Sequence, residues 1–228
     1  MALITPGPMI GEASGRIGGT IFSHNRGGMY VRNGVIPTKV TSPYTDEVRN
    51  VLTSCARSWA SISDSERQAW REYCVDHPVV NRLGQKKTLS GHMAFNAVNA
   101  RLLQSGDSII HVPSIAAAPA PLTSLSLVVD TTPGSAVLTI LPTPIGANNR
   151  LWTWAVAIGS PGVGYYANKW RLVNKSAKNQ ATALDIWSDL EDRFGEIDLG
   201  TRVLIRCQVL DTLTGLVSGF VEAVAVAT

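Results

Sequence analysis

The chain has 228 residues, 45% of them hydrophobic and 16% charged, with a formal net charge of +3 at pH 7. That length holds one large or two small domains, and so mild a charge makes no global case for nucleic-acid binding. No apolar run approaches the ~20 residues that span a membrane, and the N-terminus lacks the basic-then-apolar pattern of a secretion signal.

Charge is sparse for a soluble chain of this size, so part of the surface is expected to be covered by partners. Its distribution is uneven: Arg16, Arg26, Arg32 and Lys39 precede Tyr44 with Glu12 as the single acid. Residues 1–44 read as an extended Gly/Arg-rich arm. Pro6, Pro8, Pro37 and Pro43 bar continuous helix. Thr20–His24 and Met29–Asn33 are predicted as short strands joined by Asn25-Arg-Gly-Gly28, a glycine-containing hairpin turn. Ile21 alternates with Phe22 on one strand and Tyr30 with Val31 on the other, so neither strand buries both faces by itself.

Residues 45–112 read as a small three-helix domain. Val48, Val51, Leu52, Cys55, Trp59 and Ile62 form one apolar stripe. A second helix opens on Ser63-Asp-Ser-Glu66, a capping box, carries Trp70, Tyr73 and Cys74 on one face, and stops before Pro78. The third opens at Ser90, runs through Phe95, Val98 and Leu102, and ends near Ser105-Gly106. Asn81–Thr88 between them is a basic loop with Lys86 and Lys87. Residues 113–121, rich in Ala and Pro, read as a semi-rigid linker.

From Leu122 the period switches to two. Leu125, Leu127 and Val129, then Val137–Leu141, then Trp152, Trp154, Val156 and Ile158 mark successive strands, followed by Trp170–Val173 and Ala181–Trp187. Val203, Ile205, Cys207 and Val209 share one face, and Leu216–Val226 closes the chain. About seven strands over residues 122–228 predict a β-sandwich. Asp185–Asp198, with six acids, reads as a solvated loop with a short helical turn. The fold class expected is therefore α+β: arm with β-hairpin, small helical domain, all-β sandwich.

Chemistry is hard to find. The four histidines are scattered without ligand spacing, and Asp189, Glu191, Asp192, Glu196 and Asp198 lack the order of a calcium loop, so no metal is expected. Cys55, Cys74 and Cys207 lie in apolar runs and read as buried free thiols, which fits a reducing compartment. Cys74 and His77 at i, i+3 have no third group to orient them. Gly159–Gly164 lacks the Lys-Ser/Thr of a phosphate loop. Trp59, Trp70 and Tyr73 at helical spacing read as core. No catalytic residue, cofactor or small-molecule substrate is expected. The arm stands apart, because Ile21, Phe22, Met29, Tyr30 and Val31 are too apolar for a solvated tail. Arg16, Arg26 and Arg32 interleave with them, and arginine suits bidentate pairing to carboxylate or phosphate. Arg16, Ile21, Phe22, Arg26, Tyr30, Val31 and Arg32 are the candidate partner-binding residues.

Two resemblances attach to these patterns. The β-rich segment resembles a fibronectin type III or immunoglobulin-like module, through Leu127, Thr132-Pro-Gly134, Val137-Leu-Thr-Ile140 and Trp154. The order Ser14–Asn33, Ile36-Pro37, Val48-Arg49, Trp59 and Gln68-Ala-Trp70 resembles a family of uncharacterised proteins encoded in tailed-phage genomes and prophages, across roughly residues 14–105. That second resemblance implies a virion structural protein made in the host cytoplasm and not secreted. A capsid decoration or cement protein is favoured, bound through arm and helices to other virion proteins, the major capsid protein first, and to copies of itself. A tail or head–tail connector component is the alternative within the class. A nucleic-acid-binding protein using the basic arm and Lys86-Lys87 is the alternative outside it.

Overall fold

The chain divides into two units, Met1–Thr45 and Asp46–Thr228. The structure, a computed structural model, describes all residues except 1, 6, 9, 26–27, 37–41, 81–83, 161–162, 164–165 and 182, and the backbone alone of 2, 3 and 25.

The first unit is one antiparallel sheet in the order β1-β4-β3-β2. Its strands are β1 (Ala2–Leu3), β2 (Gly15–Ile17), β3 (Thr20–Asn25) and β4 (Gly28–Asn33). The hairpin expected from the sequence is β3–β4, whose turn residues 26–27 lie outside the described residues. Two more strands join it than the sequence predicts. β2 pairs with β3 because Gly18, at φ +60°, lets Gly18-Gly19 reverse the chain in two residues.

The second unit opens with three helices, α1 (Pro43–Ser61), α2 (Asp64–Asp76) and α3 (Gly91–Gln104). The capping box forms as read: the Ser63 hydroxyl accepts from the Glu66 N–H, and the Glu66 carboxylate accepts from the Ser63 N–H at 2.7 Å. Cys55, Ile62, Trp70, Cys74, Phe95, Val98 and Leu102 are buried in a shared core, with the Trp70 and Phe95 rings edge to face at 5.4 Å. The α1 stripe is buried only in part, since Val48 and Leu52 are exposed. After α2, β5 (Val79–Val80) and β6 (Lys86–Lys87) pair within what reads as a basic loop, of which residues 81–83 are outside the described set. The segment following α3 is held along it by two side chains. Buried Asn99 exchanges hydrogen bonds with the Ile110 backbone at 2.8 and 3.1 Å, and the Trp70 indole donates to the His111 carbonyl at 2.6 Å.

Among the described residues seven strands follow, with one helix among them: β7 (Ser124–Asp130), β8 (Ser135–Leu141), β9 (Asn149–Ile158), β10 (Arg171–Lys175), β11 (Leu184–Asp185), α4 (Trp187–Phe194), β12 (Arg202–Asp211) and β13 (Val221–Val226). One antiparallel sheet runs β11-β8-β7 and the other β10-β9-β12-β13. Leu127, Val129, Leu138 and Ile140 of the first share a buried core with Leu151, Ala155, Val203, Ile205, Cys207 and Val209 of the second. Two expectations need correction. Among its described residues, the stretch Ala181–Trp187 contributes as strand only the two-residue β11. Asp185–Asp198 is more than a solvated loop: it contains α4, whose Leu190, with the preceding Ile186, is fully buried in the shared core. Trp154 lies outside the shared core, beside Arg206 and Phe220.

Helices and sheets belong to the same unit and meet at the end of α3. The Trp152 indole donates to buried Ser105 Oγ at 2.9 Å, and Asp107 holds Lys178 at 2.6 Å and Arg150 at 3.5 Å. Lys175 donates to Glu47 and to the Gln104 carbonyl at 2.8 and 2.7 Å. Residues 113–121, read as a linker, carry neither helix nor strand.

Gly215 sits at this junction with φ +67°, and a Cβ there would lie 2.6 Å from Val98 Cγ1 and 3.0 Å from the Val98 carbonyl. Gly215→Ala is therefore expected to lower stability by about 2–3 kcal/mol, through left-handed strain and overpacking, read from the urea unfolding midpoint. A second outcome concerns acid. The backbone hydrogen bond from Ser63, with help from its hydroxyl, holds the Glu66 carboxyl below its ordinary 4.5. A lowered folded-state value stabilises above pH 4.5 and the effect is lost as pH falls through it. Acid unfolding between pH 5 and 3 should thus be shallower in Glu66→Gln than in the natural chain.

Candidate protein-docking surface

Directly opposed residues in an antiparallel ladder point to the same side, so the register of the first sheet sorts its side chains into two faces. Arg16, Ile21 and Arg32 form one row across β2, β3 and β4, with Ser23 and Tyr30 in the next row of that face. Gly15, Phe22 and Val31 form a row on the opposite face, flanked by Ile17, Thr20 and Asn33 and by His24 and Met29. The sequence-derived candidates therefore fall on two surfaces: Arg16, Ile21, Tyr30 and Arg32 together, Phe22 and Val31 behind them. Arg26 lies outside the described residues.

None of the described side chains of the first unit is buried. Ile17 is 75% exposed and Ile36, just beyond β4, 88%. Ile17, Val35 and Ile36 were missed in the sequence reading; the Val35-Ile36 pair after an alternating strand was the available signal. The Arg16 Nε donates to the Gly18 carbonyl at 2.7 Å, which holds its stem against the β2–β3 turn. Glu12 pairs with His24, at 3.0 Å, and His24 is on the face opposite the arginines.

A second surface, unseen in the sequence, lies on the outer side of β9 and β12. The Arg206 guanidinium carbon is 4.5 Å from the Phe220 ring centre, 4.6 Å from Trp170 and 5.6 Å from Trp154. Burial lowers the Arg206 pKa, and Glu222, its cross-strand partner, acts against that shift. Beside it, Tyr166, Trp170, Leu204, Glu222 and Val224 line a recess of about 190 Å³. That is below the ~300 Å³ at which small-molecule pockets begin.

Elsewhere the groups with chemical potential are engaged structurally. Burial pushes up the thiols of Cys55, Cys74 and Cys207, that of Cys207 to about 12, which opposes thiolate formation. The His77 ring stacks on Tyr73 at 4.3 Å and its Nδ1 lies 3.1 Å from the Tyr73 carbonyl. Asp189 accepts from the Asn174 amide. Among the described residues, no three His, Cys, Asp or Glu side chains converge as metal ligands would. Residues 161, 162 and 164 of the glycine-containing loop lie outside the described set.

Arg206→Ala removes three cation–π contacts and should cost about 1–2 kcal/mol in chemical denaturation. Glu222→Ala, losing an exposed partner, should change it by under ~0.5 kcal/mol. Equal losses would assign the stabilisation to the coulombic attraction of Glu222 instead.

Neither a protein-family model nor a curated protein matches this chain. Among solved structures it has a distant likeness to a Fn3-like protein from Clostridium thermocellum, at 18% identity and a TM-score of 0.30, spanning 49% of this chain and 96% of that one.

Proposed function

We propose that this chain is a non-enzymatic structural protein of a tailed-phage particle, a capsid decoration or cement protein anchored through residues 1–44. One observation carries the reading: the first unit is a four-stranded sheet in which no described side chain is buried. A sheet needs at least one covered face to be stable, and a half-apolar arm that stays ordered is accounted for by a surface it lies on. The resemblance of residues 14–105 to phage-encoded proteins supports the virion as that context.

Size also bears on the mode of attachment. At about 16 Å² of sheet per residue, each face spans roughly 300 Å² in projection, against ~800 Å² buried per partner in a standard interface. A single arm is a weak anchor. Many arms on a repeating lattice gain occupancy through multivalency, which is how a cement protein works. The Asp46–Thr228 unit is the body that such arms would carry. Within it, the first, second and fifth strands of the β-rich part form one sheet and the other four the second. That strand order supports reading this part as a fibronectin type III-like sandwich. The reading calls for no cofactor, metal or small-molecule substrate, and places the protein in the virion after synthesis in the host cytoplasm.

Purified particles of the phage that encodes the chain provide the test. Full-length protein should co-sediment with them, and a chain lacking residues 1–44 should lose at least tenfold in occupancy. Equal occupancy of the two would sink the anchoring role, and absence of full-length protein from heads and tails alike would sink the virion placement.

A further inference from the structure

Resting on that anchoring role, we propose that the arm-sheet face bearing Arg16, Ile21, Tyr30 and Arg32 docks on an acidic protein surface of another virion subunit. Its two carboxylates would bracket an apolar contact.

The row Arg16–Ile21–Arg32 crosses three adjacent strands. Two strand spacings separate the arginine backbones, about 10 Å, and both side chains are exposed. Among the described residues, no ion pair joins either guanidinium to a carboxylate, and Glu12 is engaged with His24 of the opposite face. The face is thus a two-pronged cation without counter-charge. Each guanidinium can grip one carboxylate through two parallel hydrogen bonds, so the pair defines a spacing as well as a sign.

Ile21 and Tyr30 identify the partner class. Both are half-buried, and Ile21 lies directly between the prongs. A phosphate backbone would satisfy the arginines and leave these two side chains wet. A protein surface with an apolar residue between two acids satisfies all four. Two cations also make a poor nucleic-acid anchor: at a slope of ~0.9 per charge, fourfold more salt weakens such binding only ~12-fold. On the opposite face the Phe22 row is uncharged, so charge selects which side meets the acidic partner.

The test uses full-length protein carrying Arg16→Lys and Arg32→Lys together, bound to particles and treated with a carbodiimide. This reagent joins an amine to a carboxylate in direct contact. Mass spectrometry is expected to find both substituted positions linked to Asp or Glu of another virion protein. Links to residues 46–228 of the same chain would overturn the proposal, as would links from other lysines with none from these two. In parallel, Arg16→Ala with Arg32→Ala should weaken particle binding by about 100-fold, and the lysine pair should recover only part of it because the planar fork is lost. If the alanine pair binds within threefold of the natural chain while deletion of residues 1–44 abolishes binding, this face is not the contact and the anchoring role still stands. If the deletion also binds normally, both fall. Stronger binding to a 30-base-pair DNA duplex than to DNA-free particles would assign the face to nucleic acid and overturn the proposal.

Discussion

A β-sheet left with water on both faces gains no apolar burial to offset the entropy of ordering its strands. The β9–β12 ladder meets this constraint on both sides. Its inner face closes on β7 and β8 around Leu151, Ala155, Ile205 and Cys207. Its outer face is covered in two places. At one end Trp152 lies buried against Ser105, and at the other Val156, Ile158 and Leu204 pack with Val163, Tyr166 and Trp170. Between them Arg206 lies among three aromatic rings, its apolar stem and weakly hydrated head suited to a half-dry position. Among the described side chains of the sheet of residues 1–45, none is buried. That contrast is the physical basis of the proposed anchoring role.

Apolar burial is non-directional, so polar contacts must set how helices and sheets are held in the second unit. Asp107 is nearly enclosed and takes two cations from the sheet side, Lys178 and Arg150. Removing either would leave charge in a low-dielectric setting, which is costly. Lys175 reaches both Glu47 and the last carbonyl of α3, and Asn99 fixes the backbone at Ile110. These bonds give one packing of helix on sheet where apolar surfaces alone would allow several.

The two units therefore divide labour along physical lines. In the second, cores and buried polar contacts make a rigid body, with its thiols sealed inside. In the first, glycines keep the backbone thin, and side chains are sorted by strand alternation into a face bearing Arg16 and Arg32 and an opposite face bearing Phe22, Val31 and the His24 that pairs with Glu12. In the proposed assembly role the body supplies bulk and the arm supplies attachment, which requires no reacting group in either.

Local patterns were enough to locate α2 and α3, because Ser63, Glu66 and Ser90 are chemical start signals that act within one helical turn. They also located the inward faces of β7 and β12, since alternation of period two is written into neighbouring residues. The arm was legible as an apolar, basic segment in need of a surface, and its β3–β4 hairpin as a glycine turn between alternating runs. Alternation already separated Ile21 from Phe22, but only the ladder register could bring Arg16, Ile21 and Arg32 into one row. These residues are up to 16 positions apart and meet through two chain reversals. Helix α4 was legible only as a short turn in a solvated loop because its charged residues dominate the local composition, while the buried Ile186 and Leu190 that hold it are rewarded only by the distant core. The aromatic surroundings of Arg206 draw on residues from β9, β12 and two loops, and no local rule anticipates them. The sequence by itself thus determined elements, capping and the polarity of the arm, all of which depend on near neighbours. The pairing of faces, the helix–sheet junction and the grouping of the arginines were decided by tertiary structure, because long-range register alone places those side chains together.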